Sequence, residues 1–305
     1  MKEKLGSMLM PKTYFIVVFL CALLLAGSES VPVYAETSYA ARKINMAGRQ
    51  RMLTQRLAKA ACYIASFSDV KRHSAMLTQA RDLFAESHRV LRQGSMELGI
   101  QATTDPQVLD LLATQEKSWR LIDFGAHLLA DLPHVPGLGV DLIARYNLNL
   151  LEQADRVVGL LEAHTGEASD TVGGRLVNIA GRQRMLTQKA AKEFCLIAYG
   201  IDPAKNRNHL RKSVETFDQA LAILREGDPA RGLDAVSDMD VGLQLNGIQG
   251  QWSRLSPILL KVAQGGQASS ADFKLVGQLS EVLLQDSDDV VALLVDYFER
   301  TEQTN

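Results

Sequence analysis

Two arginines stand out by their neighbours. Arg51 follows Gly48 by three residues and precedes Gln55 by four, and Arg184 has the same relation to Gly181 and Gln188. On a helix of 3.6 residues per turn, positions 48, 51, 52, 55, 59 and 62 fall within about 100° of one another. That face reads Gly48, Arg51, Met52, Gln55, Lys59 and Cys62, and its counterpart reads Gly181, Arg184, Met185, Gln188, Lys192 and Cys195. Guanidinium is a planar fork of five donors matched to carboxylates and small oxyanions. A helix-interior glycine costs about 1 kcal/mol relative to alanine, so glycine in both copies implies close approach of a backbone or a ligand. Chemistry of this kind is recognition of a compact anion, with the glutamines and with Asn45 and Asn178 as further neutral donors. The plainer alternative is a basic residue on a solvated helix face, its stem packed on neighbours.

The two faces belong to a duplication. Asn45 to Gln55 reads N-M-A-G-R-Q-R-M-L-T-Q and returns 133 positions later, at Asn178 to Gln188, with one change. The same offset pairs Cys62 with Cys195, Phe84 with Phe217, Gly94 with Gly227 and Trp119 with Trp252. Between these points the copies differ widely, so the boxes have been held while their surroundings drifted. If the helices carrying them meet about a pseudo-twofold axis, Arg51 and Arg184 face each other. Two bare cations about 6 Å apart repel by about 3 kcal/mol at an effective dielectric near 20, and a bound anion removes that cost.

The elements that must position these residues are helices. Apolar spacing and the run of good helix formers predict helices over Ser38 to Ser66, Lys71 to Arg92, Pro106 to Asp131 and Leu142 to Ala163. Thr37 or Ser38 is the expected first cap. The second copy repeats the outline over Leu176 to Tyr199, Asn206 to Arg225, Asp234 to Val262 and Asp272 to Thr301, with Gly173-Gly174, Gly227-Asp228-Pro229 and Gly265-Gly266 as punctuation. Sustained period-2 alternation is absent. The expected fold is all-α, two tandem up-and-down four-helix bundles, over residues 38–165 and 172–303.

Residues 1–35 read as a secretory signal peptide: Lys2, Lys4 and Lys12, an apolar run from Tyr14 to Ala26, then Val33-Tyr34-Ala35 as a cleavage site. Export, to the periplasm or out of the cell, after cleavage is the expectation, with an uncleaved inner-membrane anchor as the alternative. Removal of that segment leaves 30 basic against 33 acidic residues, which gives a nucleic-acid partner no support. Cys62 and Cys195 would then sit where disulfides persist. An interdomain bridge and two small buried apolar residues are the two readings of the pair.

The six histidines form no helical ligand pair, and none recurs in the other copy; no metal and no cofactor is expected. The acidic run Asp286, Asp288 and Asp289 reads as a solvated face of the last helix. No nucleophile, phosphate-loop or zinc-hydrolase motif is present, so the chain is not expected to be an enzyme.

The boxes resemble the motif of the PilJ-type domain, found at the N-terminus of type IV pilus methyl-accepting chemotaxis transducers, and are similar to the P-box of NarX-type nitrate/nitrite sensor kinases. In those kinases nitrate is held between equivalent helices of two subunits by the Gly and Arg of a G-x-x-R-M pattern. The resemblance implies Gly48 and Arg51, with Gly181 and Arg184, as ligand-binding residues. It also implies a nitrate- or nitrite-like oxyanion as ligand and a membrane sensor or chemotaxis transducer as partner. Between Gly and Arg this chain carries Arg49-Gln50, the PilJ-like form. A structural or interaction module without a small-molecule ligand is the alternative.

Overall fold

The computed structural model describes residues 33–302, except 133, 135 and 166–171. Most of the expected signal peptide, residues 1–32, lies outside the described part. From Tyr39 onward the chain is one compact unit containing both copies of the repeat. Among the described residues there are eight α-helices and no strands. The first copy supplies α1 (Val33–Ala65), α2 (Val70–Gln93), α3 (Pro106–Asp131) and α4 (Gly137–Thr165). The second supplies α5 (Val172–Tyr199), α6 (Pro203–Glu226), α7 (Met239–Ala263) and α8 (Ser270–Glu302), with a short 3₁₀ turn at Pro229–Arg231. In the second copy α5 packs on α6, α6 on α7, α7 on α8 and α8 back on α5, a closed four-helix bundle. In the first, α2 packs on α3 and α3 on α4. There α1 is tied in by Gln50, which donates to Ser87 of α2 at 3.2 Å and accepts from Gln115 of α3 at 3.1 Å.

Local detail repeats along with the helices. Phe84 stacks on Trp119 at 4.3 Å between ring centroids, and Phe217 stacks on Trp252 at 3.8 Å. Asp105 and Asp238 cap α3 and α7, each accepting a backbone N–H of the first turn. The connections after α2 and α6 both start at a glycine, Gly94 at φ +78° and Gly227 at φ +81°. At either position an added Cβ would lie 2.7 Å from a backbone nitrogen, so only glycine fits on both counts.

Three sequence expectations are corrected. Helix α1 begins at Val33, so Thr37 and Ser38 are interior residues; the stretch from Val33 to Ser38 contains no glycine or proline to stop it. Gly173 and Gly174 lie inside α5, not between elements, because Gly173 lies against Phe298 of α8, whose ring an added Cβ would meet at 2.8 Å. Likewise α4 starts at Gly137 and includes Gly139, whose added Cβ would lie 2.8 Å from the Gly125 carbonyl of α3. In both places glycine permits helices to touch, where the sequence reads as a break.

The apolar core follows the bundles. One cluster, including Phe194, Phe217, Trp252 and Leu283, fills the second copy and takes in Cys62, Tyr63 and Val140 from the first. Another, including Leu57, Phe84, Trp119 and Leu150, fills the first copy and takes in Leu284 from the second. The two copies therefore share core across α1, α4, α5 and α8.

Candidate functional site

The boxes lie on α1 and α5; Gln50, Arg51, Thr54 and Gln55 of the first and Gln183, Arg184, Thr187 and Gln188 of the second are buried, whereas Asn45 is exposed and Asn178 half-buried. Arg51 is only 4% exposed. Its Nη1 donates to Asp155 of α4 at 2.9 Å, and its Nη2 donates to Asn178 of the other box at 3.4 Å. Arg184 repeats this: Nη1 donates to Asp288 of α8 at 2.8 Å and Nη2 to Asn45 at 3.3 Å. Each arginine is thus anchored by the fourth helix of its own copy and crosses to the asparagine of the other. Asp155 and Asp288 are themselves 133 positions apart. Burial lowers the pKa of Arg184; Asp288 opposes this, while the charges of Arg49 and Arg51 add to the lowering.

Gly48 and Gly181 have a local role in this geometry. An added Cβ would meet Arg51 Nη2 at 3.4 Å in one copy and Arg184 Nη2 at 3.2 Å in the other. What lies over each glycine is the guanidinium one turn later, folded back along its own helix. Arg184 Nε donates to the Gly181 carbonyl at 3.3 Å, whereas Arg51 Nε is buried with no acceptor.

One turn deeper, the same stripe carries Gln55, Gln188, Lys59 and Lys192, all wholly buried. Lys192 Nζ donates across the interface to Gln55 Oε1 at 2.8 Å and to Asn147 Oδ1 of α4 at 3.0 Å. Lys59 Nζ crosses the other way, to Ser280 Oγ of α8 at 3.1 Å and to Glu281 at 2.5 Å. Asn147 and Ser280 again occupy equivalent positions. Gln188 Nε2 donates to the Ser280 carbonyl at 2.8 Å, and its Oε1 is buried without a partner. Below this layer a disulfide joins Cys62 to Cys195, with Cα atoms 6.1 Å apart and both residues fully buried.

The symmetry fails at the carboxylates. Glu281 receives both Lys59 and Arg56, and although burial works to raise its pKa, those cations hold it at about 2. Lys59 is pushed down to about 8, chiefly by burial, with Glu281 acting against the shift. Lys192 is held mainly by amide oxygens, with the Glu193 carboxylate at 4.0 Å, and burial lowers it further, to about 7. An unfolded lysine keeps its proton to about 10.5, so between those values the unfolded chain binds more protons and stability rises with pH. The contribution is complete above about 10.5 and lost as pH falls through about 7, with each unit of difference corresponding to about 1.4 kcal/mol. We expect the stability of Lys192→Met, measured by urea unfolding from pH 7 to pH 10, to rise much less steeply than that of the parent. Parallel slopes would show that Lys192 is protonated throughout.

Placed against the sequence expectations, Gly48, Arg51, Gln55, Gly181, Arg184 and Gln188 lie along one interface, joined by Asn45 and Asn178, and Cys62 is bonded to Cys195. The picture of two bare facing cations is corrected, because Asp155 and Asp288 each neutralise one of them. Asp288 is likewise corrected from a solvating residue to a partner of Arg184. Sequence reading missed Asp155, Asn147, Ser280 and Glu281. The available signal was the 133-residue spacing of the two aspartates, each two residues before a Val-Val pair.

Chemically, the upper layer presents two guanidiniums, each with one arm in an ion pair and the other on a neutral amide oxygen. Bonds of 3.3 and 3.4 Å lie beyond the usual 2.7–3.2 Å N–H to O range. These arms and the unpartnered Arg51 Nε are the donors available for a compact anion between the boxes.

Comparison with known proteins agrees with the box. Residues 33–123 and 169–273 match the PilJ family model, described as type IV pili methyl-accepting chemotaxis transducer N-term. Over 126 residues, 41% of this chain, the sequence is 28% identical to the methyl-accepting chemotaxis protein McpN of Pseudomonas aeruginosa, and it spans 23% of that relative's length. A solved structure, the ligand binding domain of the P. aeruginosa nitrate receptor McpN, is 27% identical and superposes with a TM-score of 0.34, over 40% of this chain and 94% of that one. Each matched stretch of the family model contains one box, and the chain belongs to the PilJ family of chemotaxis-transducer N-terminal domains, in two tandem copies.

Proposed function

We propose that this chain is an exported, non-enzymatic sensor that binds one small oxyanion, of the nitrate or nitrite type, between its two boxes. Occupancy is then passed to a membrane partner such as a chemotaxis transducer. The supporting observation is the reciprocal crossing of Arg51 to Asn178 and of Arg184 to Asn45. A duplicated chain thereby brings both halves of an anion seat together without a second subunit. The anion replaces the two weak asparagine contacts and draws the guanidiniums toward itself, while Asp155 and Asp288 hold their other arms. Since α1 and α5 are pinned deeper down by the disulfide and the lysine layer, movement at the box is transmitted along the helices toward their N-terminal ends. The name of the McpN relative supports nitrate as the first ligand to try. For export, the support is the basic and apolar pattern of residues 1–35. Among the described residues no helix is long and apolar enough to cross a membrane.

The competing reading, a helix-packing module with no ligand, is favoured by the two aspartates, which already occupy one arm of each arginine. A melting panel separates the two. Nitrate, nitrite, chloride, sulfate and acetate are each added to the purified protein. Binding stabilises the folded chain with the logarithm of ligand over Kd and raises the melting temperature accordingly; at a hundredfold excess the stabilisation is about 2.7 kcal/mol. A rise specific to one or two anions, lost in Arg51→Ala and equally in Arg184→Ala, is the expected result. No rise with any anion leaves only the packing module.

A further inference from the structure

A second opening lies at the other end of α1, away from the box arginines. Where α1 turns into α2, a cavity of about 260 Å³ lies between that turn and α8. This is a little below the 300–1,000 Å³ typical of drug-sized sites, so it suits a smaller molecule. Its inner wall is aromatic: Tyr63 lies 4.4 Å from His73 and 5.5 Å from Phe273 between ring centroids. Gly277 lets α8 lie close against this wall, because an added Cβ would sit 3.1 Å from Tyr63 Cε1 and 3.8 Å from His73 Nε2. At the mouth stand Arg72 and Lys274, with Asp69 as the carboxylate. Neither cation forms an ion pair among the described residues.

His73 is the second observation. It is 3% exposed, yet its Nδ1 has no hydrogen-bond partner, an arrangement that buried polar groups rarely keep. Burial, with the charges of Lys59 and Arg72 adding to it, brings the ring down to about 4, so it is neutral near pH 7. The turn itself does not need a histidine. In the second copy the equivalent residue is Asn206, whose amide donates to Ile201 O at 2.8 Å and to Asp202 O at 3.3 Å in a turn of the same shape. That copy also has Leu196 in place of Tyr63 and Lys205 in place of Arg72, and Ala144 of the first copy stands opposite Gly277 in register. The aromatic wall and the spare nitrogen therefore occur together beside this opening, and the equivalent positions of the other copy carry neither.

We propose that this cavity binds a small organic carboxylate, with its charged end at Arg72 and Lys274 and its apolar body against Tyr63, His73 and Phe273. The site is independent of the anion seat between the boxes. Benzoate is the probe, titrated calorimetrically into the full chain, into Arg72→Gln/Lys274→Gln and into Arg51→Ala. Both mouth residues are exposed, so the double variant is expected to melt as the parent does. Benzoate should bind the parent and Arg51→Ala alike, and the double variant at least about tenfold more weakly. No binding of benzoate to the parent overturns the proposal. So does binding that survives in the double variant, and so does binding lost in Arg51→Ala, which would assign the ligand to the boxes.

Discussion

Loss of the Cys62–Cys195 disulfide is expected to lower the stability of the folded chain by about 3–5 kcal/mol. The bond closes a loop spanning 133 positions, and on the chain-entropy account a crosslink of that length restricts the unfolded ensemble by close to the upper figure. Because the two cysteines come from different copies, the constraint acts on the association of the copies. Both sulfurs are wholly buried, so Cys62→Ala/Cys195→Ala avoids placing new hydroxyls in the core. Urea unfolding of the oxidised protein, the reduced protein and the double variant is the check. The last two should coincide at a much lower midpoint. Superimposable curves with and without reductant, together with two reactive thiols in the unfolded chain, would contradict the bridge.

Replacing Glu281 by alanine should cost about 3–5 kcal/mol at pH 7, the range found when a buried ion pair loses one member. Lys59 is wholly buried, and Glu281 is 16% exposed and takes both Lys59 and Arg56. Arg56 keeps Gln79 as an acceptor at 3.0 Å, but Lys59 keeps only the Ser280 hydroxyl. The pH dependence is specific. In the parent, the Glu281 contribution is present above its ordinary value of about 4.5 and is lost as pH falls toward about 2. In the variant, the Lys59 amine sheds its proton more readily, so the deficit should shrink as pH rises through about 8, where the parent's own Lys59 becomes neutral. Lys59→Met/Glu281→Ala should recover most of the loss, since removing both members of a buried pair is often near neutral. A deficit independent of pH and not relieved in the double variant would mean that Glu281 acts through packing.

The helices were largely legible because amphipathic spacing and Asp caps are local properties. Pro106–Asp131 was expected and found with the same bounds, and Asp105 caps it. Gly139 and Gly173 misled for a physical reason. Their cost within a helix is readable, but the Gly125 carbonyl and the Phe298 ring that they lie against belong to other helices. The box stripe was readable because Arg and Lys at core spacing conflict with burial, and the conflict recurs 133 positions later. Their counter-ions were not readable in the same way. Asp155 and Asp288 sit on amphipathic helices at 53% and 30% side-chain exposure, where a carboxylate looks like any solvated one. Glu281 has no counterpart in the first copy, where Leu148 stands, so even the repeat gave no hint of it. The difference has a consequence, because one buried lysine has a carboxylate in direct contact and the other rests mainly on amide oxygens.

If the two boxes form one seat, a single chain holds a single anion. Calorimetric titration of nitrate into the full chain tests this most directly, through the number of nitrates bound per chain. One nitrate per chain is predicted, with the heat abolished by Arg51→Ala alone and by Arg184→Ala alone. Two equivalent nitrates per chain, each variant removing one and leaving the other intact, would show instead that each box binds by itself.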